Sequence, residues 1–549
     1  MHTISTHHLP FLKILVIRNC PQLSYSRLSL PSLEKLTLKD CPKLIGKLPS
    51  HLHFLKILMI RNCPQLSCSL LSLPSLGKLE ITGCNEAVLR YMMDFTCLTS
   101  LTIKRIPKLA YLPKSITQFL TAVETVEIKE CDELTCLWED GASLASLKCL
   151  RIQECPLLDC LPNGLHALTC LEELSIEKCK KFVCLPVTGL PLHLKKLKLE
   201  DLVVLKSLPN ELMKIGDGGN NMLQLEKLVI KGCEQLKSFP RDKLPNTLKR
   251  LKIESCENLE SLPEGVNLEH LKINNLPSLK CFPSSKLPSA LKRLEIRMCK
   301  QLESLPDRLL QDCTQLEEMQ IEDVENLRSL PIDFMHNLSG LVELELNSCE
   351  GFESLPEMDP SSVPNLKTLK IRNLKNLKSL PNEMCNITSI RCLIIRGCPG
   401  IASIPEGGFP LNLKTLAISG EGLRQSMLEW GLDRLTSLEL FQIGEICPPD
   451  NLQLPKSLKS LTIVGMSNLK SIPKVLLQNL HSLENLCFYC CPQLRSLPKE
   501  GLPTSLQQFR LFSCPLLKEQ CLEEKGDYWP LIANIPYVEL SDYVGVRYQ

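Results

Sequence analysis

Aromatic residues make up only 5% of this 549-residue chain, and no stretch approaches the roughly 18 uninterrupted apolar residues of a membrane helix. The net charge is +2, so there is no basic excess of the kind that binds nucleic acid and no acidic run of the kind that makes a disordered tail. The opening MHTISTHHLPFLKILVI is interrupted by Lys13 and makes a poor signal peptide. Asn-x-Ser/Thr sequons occur only at Asn337 and Asn386, few for a secreted chain of this size. These absences favour the cytosol or nucleus, with no membrane span and no nucleic-acid partner.

Catalytic signatures are missing too. There is no G-x-x-x-x-G-K-[ST] phosphate loop, no H-E-x-x-H, no G-x-S-x-G and no kinase signature set. The ten histidines are scattered, and HTISTHH reads as a solvated end rather than a metal site. Glutamate pairs such as Glu317-Glu318 recur at a spacing that puts them on a solvated face. The expectation is a chain with no enzymatic reaction and no cofactor of its own.

What is present is a repeat. LKRLKIESCENLESLP begins at Leu248 and LKRLEIRMCKQLESLP at Leu291, identical at 11 of 16 positions. Aligning the chain on L-x-x-L-x-[IL]-x-x-C-x-x-L gives twenty-two units, from Leu12 to Leu506, mostly 20 to 25 residues apart. That period lies in the leucine-rich-repeat range. L-x-L places two apolar side chains on one face of a short strand. A single unit cannot bury that face, so successive units must stack around a shared core. Most units continue into S-L-P, as at Ser261-Leu262-Pro263, where proline lacks an N–H and turns the chain. The expected fold is an α/β solenoid, a horseshoe of about 22 repeats. A parallel sheet lines its concave face, and irregular or 3-10 returns form the convex side.

The ninth position of a unit is cysteine in fourteen units and apolar in seven others, among them Ile106, Leu202 and, in the unit that begins at Leu435, Ile443; only Glu421 departs. A position that exchanges Cys for Leu, Val or Met is a buried apolar site, with a weak S–H donor able to meet a carbonyl at the strand's end. The 29 cysteines should therefore be free thiols rather than a disulfide framework. The run CFYCC, Cys487 to Cys491, holds a C-x-x-C with no second pair nearby to complete a zinc site.

Residues 1–514 read as one solenoid domain and 515–549 as a C-terminal cap holding Trp529 and four of the eight tyrosines. Only eleven residues precede the first repeat, which suggests an N-terminal side cut short or tethered to something else. GDGGNN, Gly216 to Asn221, reads as a surface loop insertion, and the spacing of Leu423, Met427, Trp430 and Leu435 as a short helix.

Binding should use the strand residues that point away from the core. A basic stripe runs through Lys196, Lys198, Lys227, Lys231, Arg250, Lys252, Lys272, Arg293 and Arg297, followed by an acidic patch of Glu318, Glu322, Glu343 and Glu345. Near the end come three aromatics, Phe441, Tyr489 and Phe512, with Arg510 and Asn485 at their rim. Segregated charge and exposed aromatics both mark complementary protein partners.

The repeat LxxLxIxxCxxLxSLP resembles the cytoplasmic repeats of plant nucleotide-binding leucine-rich-repeat disease-resistance proteins. LEWGLDRLTSLELFQIG, Leu428 to Gly444, resembles a W-G-L-x-x-L-T-S-L segment of their coiled-coil class, and LPKSLKSLTIVGMSNLKSIP, Leu454 to Pro473, resembles the unit that follows it. CPLLKEQCLEEKGDYWPLIANIPYVEL, Cys514 to Leu540, resembles that family's C-terminal signature. The resemblance implies a protein-recognition role in plant innate immunity. In that family the repeats sense a pathogen effector or a modified host protein (a guardee) and restrain a nucleotide-dependent switch. The family's nucleotide site is absent here, so a nucleotide-binding region would act in cis or in trans. Two alternatives stand beside it. The substrate-receptor repeats of a ubiquitin ligase would call for an F-box, and a cell-surface ectodomain would call for a signal peptide and many sequons.

Overall fold

The computed structural model describes residues 9–542 except 21–29, 45–47, 49–51, 67–70, 91, 94, 119, 139–143, 187–188, 210–222, 240–243, 264–266, 283–285, 332–334, 425, 499–500 and 524–525. The GDGGNN segment and HTISTHH lie outside the described residues. The chain divides into two compact units, Met1–Ser278 and Leu279–Gln549.

In the first unit each repeat contributes one five-residue strand. These are β1 Ile14–Arg18, β2 Lys35–Lys39, β3 Ile57–Arg61, β4 Lys78–Thr82, β5 Ser100–Lys104, β6 Thr125–Lys129, β7 Cys149–Gln153, β8 Glu173–Glu177, β9 Lys196–Glu200, β10 Lys227–Lys231, β11 Arg250–Glu254 and β12 His270–Asn274. Successive strands pair in parallel and in register, as in Leu228↔Leu251↔Leu271 and Ile230↔Ile253↔Ile273. The second unit continues the scheme. Its strands are β13 Arg293–Arg297, β14 Glu318–Glu322, β15 Glu343–Asn347, β16 Thr368–Arg372, β17 Cys392–Arg396, β18 Thr415–Ser419, β19 Leu440–Gly444, β20 Ser460–Val464, β21 Asn485–Tyr489 and β22 Gln508–Phe512. The expected parallel-sheet solenoid is thus present in each unit, one five-residue strand per repeat, and the first unit adds a separate two-residue pair, Leu71–Ser72 with Met92–Met93. The second and fourth residues of each strand face the core because side chains alternate along a strand; Leu228, Ile230, Ile253 and Ile273 are fully buried.

The returns are short, as expected. Proline immediately precedes the 3-10 turns Asn163–Ala167 and Asn382–Asn386 and the single-turn helices Lys114–Thr117 and Lys474–Leu477. Its fixed φ and missing N–H end the extended chain at that point. Where one helix was expected between 419 and 435, there are three 3-10 segments: Glu421–Arg424, Met427–Trp430 and Leu432–Arg434. Gly431, at φ 62°, separates the last two. The predicted apolar residues are nonetheless buried, and Trp430 packs edge-on against Phe409 with ring centroids 5.8 Å apart.

The ladder cysteines behave as the pattern implied. Cys41, Cys63, Cys84, Cys299 and Cys349 are fully buried. Their Sγ atoms donate to the carbonyl two residues earlier, at 3.3 Å in Cys41, Cys84, Cys299 and Cys349 and 3.4 Å in Cys63. Burial pushes the thiols of Cys63 and Cys349 up to about 12 and that of Cys398 up to about 11, which keeps them protonated. The described cysteines are free, and among the described residues no group of His, Cys, Asp or Glu is placed to hold a metal ion. That includes CFYCC, whose Cys487 and Cys491 are both buried.

One regularity was not visible in the repeat pattern. Each of the twenty-two repeat strands is followed directly by a residue of positive φ, such as Asp40 (55°), Arg105 (52°), Gly232 (62°), Met298 (52°) and Ser513 (52°). This left-handed corner turns the chain out of the sheet, so that the next residue, usually the cysteine, points back into the core.

Beyond β22 the chain forms a short helix, Pro515–Gln520, a single turn, Trp529–Ile532, and a further strand, β23, Tyr537–Ser541. β23 pairs in parallel with β22, Gln508↔Tyr537 through Phe512↔Ser541, so this segment extends the sheet by one strand.

Candidate protein-interaction surface

The first, third and fifth residues of each strand form the open face of the sheet, and all but one of the residues expected to bind lie on it. The exception is Phe441. It is fully buried and in register with Leu416 and Leu461, both core residues. Leu435 and Leu438 both fit the start of the repeat, and the correct frame begins at Leu438, three residues later than the sequence reading. Phe441 therefore fills the second strand position, and Ile446, not Ile443, takes the ladder site.

The expected segregation of charge does not survive the fold. Lys196 pairs with Glu173 at 2.9 Å, and Lys198 reaches Glu177 at 2.8 Å and Glu200 at 2.6 Å. Lys231 also binds Glu200 at 2.6 Å, while Lys252 and Lys272 lie 3.0 and 4.0 Å from Glu254. In the second unit Arg293 pairs with Glu318 at 2.6 Å and Arg297 with Glu322 at 3.3 Å. Lys370 holds Glu343 at 2.5 Å and Arg372 holds Glu345 at 3.1 Å. Acids at the fifth strand position and on the next strand neutralise the stripe locally. Burial raises the Glu200 carboxyl, but the hydrogen bonds and charges of Lys198 and Lys231 together outweigh it and hold the group below its usual range. Lys227 and Arg250, cross-strand neighbours, form no ion pair among the described residues.

A different feature stands out in the second unit. From β18 through β21 the open-face residues are Thr415, Ala417, Ser419, Leu440, Gln442, Gly444, Ser460, Thr462, Val464, Asn485, Cys487 and Tyr489, none of them charged, although the Arg396 guanidinium of β17 reaches over to donate to Gln442. Every other repeat strand carries at least one Lys, Arg, Asp or Glu at these positions. At about 4.8 Å per strand the neutral band is about 15 Å across. Ala417, Gly444 and Cys487 keep its floor low, and Leu440 is 36% exposed within it.

The band ends in a cleft of about 340 Å³ lined by Ser460, Thr462, Asn485, Leu486, Cys487, Tyr489, Gln508 and Arg510. Tyr489 and Phe512, half-buried, stack with ring centroids 4.6 Å apart and planes within 5°. Arg510 donates to Gln508 at 2.6 Å and lies 5.2 Å from the Tyr537 ring centroid. β23 lies beside these residues, yet leaves the cleft open on the sheet face. The sequence showed the aromatics and Asn485; the small neutral residues beside them carry no motif and become a site only by being adjacent.

Ile14 and Val16 on β1, and Ile57 and Met59 on β3, are further apolar residues on the open face, separated by Lys35 and Thr37 of β2. Among the described residues no helix is long and apolar enough to cross a membrane.

No family model matches the chain. It is 36% identical over 141 residues, 25% of its length, to an Arabidopsis thaliana relative described as a disease resistance protein, and the match spans 10% of that relative. Among solved structures it is similar to a leucine-rich-repeat protein of Leptospira interrogans (17% identity, 86% of this chain and 92% of that one, TM-score 0.39). It is also similar to a leucine-rich-repeat protein of Bacteroides eggerthii (16% identity, 69% of each chain, TM-score 0.43). The stacked repeats and their parallel ladders make this chain a leucine-rich-repeat solenoid, with a sequence likeness over a quarter of its length to a plant disease-resistance protein.

Proposed function

We propose that the chain is a protein-recognition module of plant innate immunity. It reads a pathogen effector or a modified host protein and restrains a nucleotide-dependent switch supplied in cis or in trans. The observation that carries the recognition surface is the neutral band from β18 to β21, ending at the Tyr489–Phe512 stack. Away from the Arg396 guanidinium on Gln442, a floor of uncharged residues is cheap to desolvate, and a rigid aromatic pair beside a polar cleft is the composition of a binding hot spot. Lys227 and Arg250, which form no ion pair among the described residues, are the cations of the stripe left to meet an acidic surface on the switch region.

The test has two arms. Tyr489→Ala with Phe512→Ala should weaken binding to a cognate effector, found by screening a panel of secreted pathogen proteins, by about tenfold or more, with the melting temperature unchanged. A fall in melting temperature with binding retained by the folded fraction would make the stack a packing element and remove the recognition claim. In the second arm, Lys227→Glu with Arg250→Glu should weaken association with a nucleotide-binding region of this family and alter its salt dependence. Association unchanged at every salt concentration would discard the electrostatic contact.

A further inference from the structure

Three cysteines lie outside the buried ladder in one column of the first unit. Cys136, Cys160 and Cys184 occupy the position before the leucine of successive T-C-L-W, D-C-L-P and V-C-L-P segments, where other coils have serine, as at Ser261 and Ser304. Cys160 and Cys184 are in register through a parallel bridge between neighbouring returns, fixed by a 2.9 Å hydrogen bond from the Val183 N–H to the Asp159 carbonyl. Both side chains are exposed, whereas Cys155 and Cys179 on the same two coils are fully buried.

In-register parallel neighbours lie about 4.8 Å apart and project to the same side, within the Cα separations of roughly 4.4–6.8 Å that a disulfide spans. The corresponding bridge in the second unit joins Ser471 to Ser496, so this position has no structural need of a thiol. We infer that Cys160 and Cys184 form an oxidation site, converted by a hydroperoxide into a disulfide that staples two successive coils.

Two steps balance the reaction. The Cys184 thiolate attacks the peroxide, the O–O bond breaks, and the departing oxygen takes a proton and leaves as water or an alcohol. The sulfur of Cys160 then attacks the Cys184 sulfenic acid, the S–O bond breaks and water leaves. Two thiols lose two electrons and one peroxide gains them. Desolvation, together with the hydrogen bond and charge of Asp159, pushes the Cys160 thiol up to about 12, which fits Cys160 for the resolving role. Apart from the half-buried Cys20, the ladder thiols are withheld from the oxidant by burial.

The full chain is treated with hydrogen peroxide under native conditions, blocked with an alkylating reagent and digested with trypsin without reductant. The expected product is peptide 152–178 joined to peptide 182–195, with fragmentation placing the bond at Cys160 rather than at Cys155 or Cys170. Cys184→Ser, the residue that coils such as those of Ser261 and Ser304 use at this position, should abolish the linked species while leaving the circular dichroism spectrum unchanged. Quantitative alkylation of both thiols after peroxide treatment would overturn the inference. So would a linked species that forms only in urea, or one that joins the ladder cysteines instead.

Discussion

Ile253→Asp is expected to destabilise the first unit by on the order of 5 kcal/mol, far more than a substitution on the solvated surface would. Ile253 is fully buried and lies in register between Ile230 and Ile273, with Leu251 on the same inward face. Truncating a buried isoleucine costs about 2–5 kcal/mol through lost transfer energy and the cavity left behind. An aspartate adds an unpaired carboxylate that must either stay protonated or draw water into the core. Because coils in a solenoid touch mainly their neighbours, the damage should begin locally. Hydrogen exchange should show protection lost first in β10 to β12, while β4 to β6 keep theirs. Urea unfolding followed by circular dichroism supplies the overall loss; an unchanged midpoint would refute the stacked-ladder account of the core.

Gly232→Val probes the left-handed corner. Gly232 follows β10 at φ 62°, and a Cβ built on it would lie 2.1 Å from the Asp201 Oδ1 and 3.2 Å from the Asp201 Cα of the preceding corner. A β-branched residue in this conformation costs roughly 1–2 kcal/mol before any clash, and displacing Asp201 should bring the total to about 3 kcal/mol. The two contributions are separable. In an Asp201→Ala background the clash with the carboxylate disappears while the backbone strain remains, so Gly232→Val should cost about half as much there. Equal costs in both backgrounds would mean that the corners do not crowd one another. A cost near zero would mean that the position is not held left-handed.

How much of the molecule could be read beforehand differs by feature. The inward positions were legible because burial imposes a two-residue alternation that L-x-L writes directly into the chain, and the cysteine column was legible because it exchanges with leucine and valine. Frame was less secure. Leu435 and Leu438 both satisfy the first position, and only the pairing of β19 with its two neighbours buries Phe441 and leaves Leu440 outside. The basic stripe is internally paired for a related reason. Lysines at the first and third strand positions look uniform in sequence, but Glu200 and Glu254 stand at the fifth position, and Glu173 and Glu177 one strand away. Cross-strand distance, not chain distance, sets which charges interact.

The sequence by itself therefore determined the repeat, its period, the parallel strands, the short returns and the buried thiols. Each of these follows from the need of one apolar face to be covered by its neighbour. Only the tertiary structure decided the left-handed corner after every repeat strand, a position filled by Asn, Asp, Gly, Arg, Glu, Lys, Ser, Met and Cys alike. It also decided the neutral band and the registered pair Cys160–Cys184. These depend on which residues the stacking brings within about 5 Å of each other, and residues some 20 or more positions apart carry no local propensity that records it.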